Sequence, residues 1–481
     1  MKKKLSMILS MLSLFLGLSA TGDMPPAGAQ AEPRGQGTIL FVPHDNRPTS
    51  CEQSAEALEL AGYKVLMPPK NMLGGLREAA DTKQLWRWVK KNIQEADVAV
   101  VSTDSLIYGG LVTSRNHQEM EGELLSRTES LEDLREENRR VKIYAFGSLM
   151  RTPKNGAAAG AEEPDYYQEY GDKIFKLSAL RDQGEIRQLS PEEQGEYDGL
   201  KATLPADVVK DYFQRREKNI KVTKRLMDFA KKGTINFLVI GKDDNAPFCA
   251  THQEARQLTA YSQDLSLSKN KFLITNGIDE LGMLLLTRAM TYLDRKPYNV
   301  NVKFNMGTGG DTIPKFSDAK IHNSIKDELL IAGALETDSV INADLVLLVN
   351  TDYKGRTTDG YPDPGDPEPM YNNGQPRKDS QYFLDMVKNN VTKGRNAALA
   401  DIAFANGSDN ALMKQLKKDN LLFRLRSYSG WNTATNCSGF ALGQGLLALE
   451  PSQNQCNRML IKRYLDDWGY QSNVRKQLTN T

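Results

Sequence analysis

Acids, amides and arginines recur in this chain immediately after short apolar runs. One run leads into Pro43-His-Asp-Asn-Arg-Pro48, another into Thr103-Asp-Ser-Leu-Ile-Tyr-Gly-Gly110, and a third into Ser148-Leu-Met-Arg151. Later runs lead into Lys242-Asp-Asp-Asn-Ala-Pro247, Asn276-Gly-Ile-Asp-Glu280, Asn406-Gly-Ser-Asp409 and Ser429-Gly-Trp-Asn-Thr433. Asp and Asn at such positions also cap helices, and for one position alone capping explains them. The adjacent acids Asp243-Asp244 and Asp279-Glu280, with Arg47, Arg115 and Arg151 at neighbouring run ends, go beyond capping. Two close carboxyls cannot both ionise cheaply, so one is held protonated as general acid while the other stays charged. That is the glycosidase solution to hydrolysis.

Within this reading Asp243 and Asp244 form the catalytic pair, with Asp104, Asp279 and Glu280 as alternative partners. Consecutive residues leaving a strand point in opposite directions, so only a turn beginning at Asp243 brings both onto one substrate. Arg47, Arg115 and Arg151 would hold a carboxylate or hydroxyl, Tyr108 and Trp431 a stacking wall, and Asn406 and Asn432 the sugar hydroxyls, with Asp45 and Asp409 beside them. The expectation is that Asp45, Asp104, Asp243, Asp279, Asn406 and Trp431 line one pocket. A two-lobed binding protein for a sugar or acidic ligand would use the same groups. So would a metal-dependent hydrolase in which Asp45, Asp104 and Asp243 gather Mg²⁺ or Mn²⁺.

Other chemistries lack their motifs. The sequence has no GxSxG elbow, HExxH pair or Walker lysine, and only 4 His. The turn Gly307 to Gly310 could cradle a phosphate, but it stands alone. Lys+Arg (62) and Asp+Glu (61) nearly cancel, giving a net charge of +1 without a basic run, which argues against nucleic-acid binding. The expected partner is a small molecule or glycan, with no cofactor required and room left for a divalent cation. The sequence does not settle the oligomeric state.

These groups need strands to carry them. Apolar runs at Thr38–Val42, Lys64–Met67, Val98–Ser102, Val141–Phe146, Ile235–Ile240, Phe272–Thr275, Val300–Phe304, Leu345–Asn350, Ala400–Ala405 and Phe423–Tyr428 alternate with helical stretches. Continuous apolar strands between helices predict parallel sheets covered on both faces, hence an α/β fold. Leu85, Trp86, Val89 and Ile93 share one helical face, as do Leu124, Leu131 and Leu134. Two α/β lobes around a cleft, 32–294 and 295–481, fit the ten runs, and a (β/α)8 barrel with an added C-terminal domain is the alternative. A helical insertion is expected over 151–230 and a Pro/Gly-rich loop over 351–380.

Lys2 to Lys4, the apolar stretch Met7 to Leu18 and Ala29-Gln-Ala31 read as a secretory signal peptide cleaved after Ala31. The mature chain is then expected to be secreted or periplasmic and free of the membrane. Cys51, Cys249, Cys437 and Cys456 lack CxxC spacing and read as buried thiols or one structural bridge.

Asp45-Asn-Arg-Pro48, the run Ser102 to Arg115 with its Tyr-Gly-Gly-Leu element, Asp243-Asp244, Gly277-Ile-Asp-Glu280, Ala405-Asn-Gly-Ser-Asp409 and Gly430-Trp-Asn-Thr433 together resemble a bacterial family catalogued as domain of unknown function 4127. The resemblance runs from about Thr38 to Leu447. It implies a shared set of motifs across the fold but no defined activity. The family's opening motif reads like Pro-Leu-Asp-Asp-Arg-Pro, whereas His44 and Asn46 stand here in place of its Leu and second acid.

Overall fold

Strands β1 (Thr38–Val42), β2 (Lys64–Leu66), β3 (Val98–Ser102), β4 (Lys142–Leu149), β5 (Phe237–Lys242) and β6 (Phe272–Asn276) pair in parallel in the order β2-β1-β3-β4-β5-β6. Strands β7 (Asn299–Phe304), β8 (Leu335–Glu336), β9 (Leu345–Asn350), β10 (Ala397–Asp401) and β11 (Ser427–Ser429) form a second parallel sheet, β8-β7-β9-β10-β11. The fold is α/β, and both sheets repeat one winding in which the second strand lies outside the first and the third lies on its other side. Both sheets are open, so the barrel alternative does not form. The structure is a computed structural model and describes residues 37–154, 156, 160–243, 245–358 and 370–479. The expected signal peptide 1–31, Asp244 and the centre of the Pro/Gly-rich loop, 359–369, lie outside the described residues.

Side-chain alternation explains how the layers assemble. Ile39 and Phe41 of β1, Val98 and Val100 of β3 and Leu345, Leu347 and Val349 of β9 share one core with the helices Leu281–Asp294, Ile321–Ala332 and Ala434–Leu447. Those helices therefore separate the two sheets, and every residue of Ala434–Leu447 is buried. Gly439 and Gly443 let this helix approach Leu281–Asp294 closely, since a Cβ at Gly439 would lie 2.5 Å from Glu280 Cγ and one at Gly443 2.7 Å from Met283 Cγ. The intervening residues Leu40, Val42, Ala99 and Val101 face a second core with the helices Thr82–Asn92, Glu121–Glu137, Ala206–Lys232 and Ala250–Asp264. Val346, Leu348, Ala397 and Leu399 face a third.

Between β4 and β5 run the helices Tyr167–Ile186, Pro191–Thr203 and Ala206–Lys232. Two strands of the second sheet sit well away from their expected runs, and one was not expected. β10 begins and ends earlier than the run Ala400–Ala405, because the chain turns after Asp401 toward Asn406, whose φ is 55°. The run Phe423–Tyr428 yields strand only from Ser427, since Leu422–Arg424 winds as a 3-10 turn. The two-residue strand β8 escapes any periodicity search. All four cysteines are buried free thiols. Among the described residues no helix is long and apolar enough to cross a membrane.

Candidate functional site

In open α/β sheets ligands bind beyond the carboxyl ends of the strands, where loops diverge. Here a cavity of about 330 Å³ opens at that edge of the first sheet, between it and the ends of β10 and β11. Asp45 and Arg47 reach it from β1, Arg115 from beyond β3, Arg151 from β4, Asp243 from β5 and Asp279 from β6. Asn406, Trp431 and Asn432 close it from the second sheet. Residues scattered over nearly the whole chain thus share one site.

Its centre is the Asp279 carboxylate. Oδ1 accepts from Arg47 Nη2 at 2.5 Å and lies 3.3 Å from His44 Nε2, while Oδ2 accepts from Asn432 Nδ2 at 3.0 Å and Asn436 Nδ2 at 3.2 Å. Burial alone would raise its pKa, but Arg47 and His44 outweigh it and hold the carboxyl well below the usual range. Arg47 also donates from Nε to Asp45 Oδ2 at 2.6 Å, and its guanidinium sits 6.0 Å from the Trp431 ring. Burial disfavours protonation of His44, yet Asp45 and Asp279 raise its pKa overall. Ser50 Oγ lies 3.0 Å from the same His44 Nε2 that faces Asp279. A Ser-His-Asp relay needs both ring nitrogens, so this trio is not one.

The other half of the cavity is a chain of ion pairs. Arg115, 1% exposed, donates from Nη2 to Asp243 Oδ2 at 2.7 Å and from Nη1 to Glu162 Oε2 at 2.9 Å. Arg151 joins Glu162 at 3.1 Å and Glu163 at 2.6 Å. The positive φ of Asn406 (55°) and Asn432 (63°) turns the chain sharply at the rim, where Asn406 N donates to Asn432 O at 2.8 Å. Asn is among the few residues that adopt this conformation readily.

Four expected residues lie elsewhere. Asp104 is buried one layer below, where its carboxylate accepts from the Ser148 N–H and hydroxyl at 3.2 and 3.0 Å, and burial pushes its pKa up to about 6. It therefore does not join Asp45 and Asp243, which are engaged by Arg47 and Arg115. Tyr108 packs into the core with its ring 5.2 Å from that of His117, and so forms no stacking wall. Asp409 caps the helix Asn410–Lys418 by accepting from Ala411 N at 2.9 Å, and pairs with Arg377. Glu280 is wholly buried with neither carboxyl oxygen hydrogen-bonded, and burial together with Glu328 raises its pKa far above normal.

Sequence reasoning missed His44, Glu162, Asn436 and Arg475. His44 and Asn436 each adjoin a noted motif, whereas Glu162 and Arg475 carry no local signal. Among the described residues no three His, Cys, Asp or Glu side chains gather as a metal site. No curated protein matches the chain. The model of a family described as "Protein of unknown function (DUF4127)" matches residues 39–481, and the chain belongs to that family.

Proposed function

We propose that this protein is an exported carbohydrate-active hydrolase that cleaves a glycosidic bond in the cavity beside Asp243 and Asp279. One observation carries the reading: two carboxylates leave the ends of neighbouring strands into a cavity walled by an indole, three asparagines and arginines. Lys242 and Asn276 are register partners on β5 and β6, and Asp243 and Asp279 follow them by one and three residues. Parallel strands lie about 4.8 Å apart.

In this mechanism Asp279 stays ionised and stabilises the positive charge that develops on the sugar ring. Asp243 is the proton carrier: it protonates the leaving oxygen as the glycosidic C–O bond breaks and takes a proton back from the water that adds to the anomeric carbon. Asn432 and Asn406 orient hydroxyls, and Trp431 offers an apolar face to a sugar ring. The leader 1–31 supports export to the periplasm or medium.

A second reading, a sugar-binding protein without catalysis, is favoured by the fact that both carboxylates already pair with arginines. Incubating the mature chain with aryl glycosides and bacterial polysaccharides, with and without a chelator, separates the readings. Release of reducing ends insensitive to chelation is expected. Thermal stabilisation by a saccharide without turnover would support binding alone, and loss of turnover on chelation would transfer the role to a divalent cation.

A further inference from the structure

A second and larger hollow adjoins the cavity. It measures about 790 Å³ and lies between the loop after β2 and the helical insertion, lined among others by Leu76, Glu163, Asp165, Tyr166, Asp207 and Asp211. Leu76 lines both spaces. The partition between them is the ion-pair chain Asp243, Arg115, Glu162, Arg151 and Glu163, in which Glu162 faces the cavity and Glu163 the groove.

Four acids and one cation, Arg77, line the groove, and two of the acids are paired with arginines from outside the lining. Asp211 is taken up by Arg215, which approaches both its oxygens at 2.7 and 2.8 Å, and by the Tyr166 hydroxyl at 2.7 Å. Asp165 and Asp207 are exposed and make no ion pair among the described residues. Glu163 is the independent sign of a ligand. It is only 4% exposed, Arg151 occupies its Oε1 at 2.6 Å, and its Oε2 has no hydrogen-bond partner. The Glu163 side chain lines the groove, and its buried Oε2 lacks a donor, which costs free energy. An ammonium or hydroxyl on a ligand would supply that donor.

The space is far too large for a lone ion and suits several linked rings. We propose that this groove binds amine-bearing units of a saccharide chain whose scissile bond lies in the adjoining cavity, an assignment that rests on the carbohydrate reading above. Protonated amines would meet Asp165 and Asp207 at the open face and Glu163 at the partition, and the fixed Tyr166 ring would receive a sugar or a cation.

Calorimetry with a glucosamine hexamer and its N-acetylated counterpart tests this on the mature chain and on the D165N/D207N and Glu163→Gln variants. The wild type is expected to bind the amine-bearing hexamer at least tenfold more tightly than the acetylated one, with an advantage that shrinks as salt rises. D165N/D207N should lose that advantage while keeping its melting temperature and its affinity for the acetylated hexamer. Glu163→Gln should weaken the amine-bearing hexamer selectively. Equal binding of the two hexamers by the wild type, or an unchanged preference in D165N/D207N, overturns the assignment. The two readings fail differently. Selective amine binding without cleavage of any glycan removes the hydrolase and leaves the groove, whereas cleavage without amine preference keeps the hydrolase and removes the groove.

Discussion

Replacing Arg47 with Gln removes the cation shared by Asp45 and Asp279 at 2.6 and 2.5 Å. The two acids are 7% and 5% exposed, but Arg47 itself is 41% exposed, so water screens part of the loss. Removing one partner of a fully buried pair costs ~3–5 kcal/mol, and an exposed pair contributes ~0–1 kcal/mol. Arg47→Gln should therefore cost about 2 kcal/mol at pH 8, between those limits. The pH dependence follows from the depressed Asp279 pKa. Its contribution is fully present above the unfolded-state value of about 3.9 and is lost as pH falls through the lower folded value. Without Arg47 the carboxyl moves back up, so the contribution is missing at neutral and alkaline pH. His44, 3.3 Å from Asp279 and already raised, takes over as counter-charge once protonated. The gap between wild type and variant should shrink to under about 1 kcal/mol at pH 5.5. Urea midpoints at the two pH values measure it. An equal loss at both would assign the effect to packing, and no loss at pH 8 would refute the electrostatic account.

Glu328 is 1% exposed and burial pushes its pKa up to about 8, so the folded state holds a proton that the unfolded state releases near 4.3. Stability should therefore fall as pH rises toward 8, and Glu328→Gln should gain on the wild type by up to ~1.4 kcal/mol per pH unit between 5 and 8, then level off. A gap that stays constant across that range would contradict this. Asp467, fully buried, pairs with Arg463 and accepts from Gly430 N at 2.8 Å, tethering the loop that carries Trp431. Asp467→Ala should cost ~3–5 kcal/mol and perturb tryptophan fluorescence, while the double replacement Asp467→Leu with Arg463→Met should cost less. Greater loss in the double variant would show that packing, not the stranded Arg463, sets the cost.

The α/β class and nearly all strands were legible because parallel strands buried on both faces read as unbroken apolar runs. The entirely buried β3 and β9 are the clearest cases. The carboxyl-end rule pointed to Asp45, Arg47, Arg115, Arg151, Asp243, Asp279, Asn406, Trp431 and Asn432, which line one cavity. It could not tell which side of the turn each side chain would take. Asp104 and Tyr108 belong to a five-residue π-helical turn whose residues are all buried, so both face inward. Asp409 answered the capping demand of its helix, the alternative that holds for any single strand-end acid. Glu280 differs from its neighbour Asp279 by one step around a helix start, which turns it toward Glu328 in the interior. Glu162 enters through the insertion, and no local pattern announces a contact that only tertiary packing creates.

The acid pair Asp243 and Asp279 is central to the proposed hydrolysis. Measuring reducing-end release from a substrate of the wild type by Asp243→Asn and Asp279→Asn, each checked for its melting temperature, tests it. Both variants should stay folded at the assay temperature while turnover falls by about 10²–10⁴-fold, the usual cost of losing a positioned proton carrier or its charged partner. Full turnover in either variant while folded would contradict the assignment.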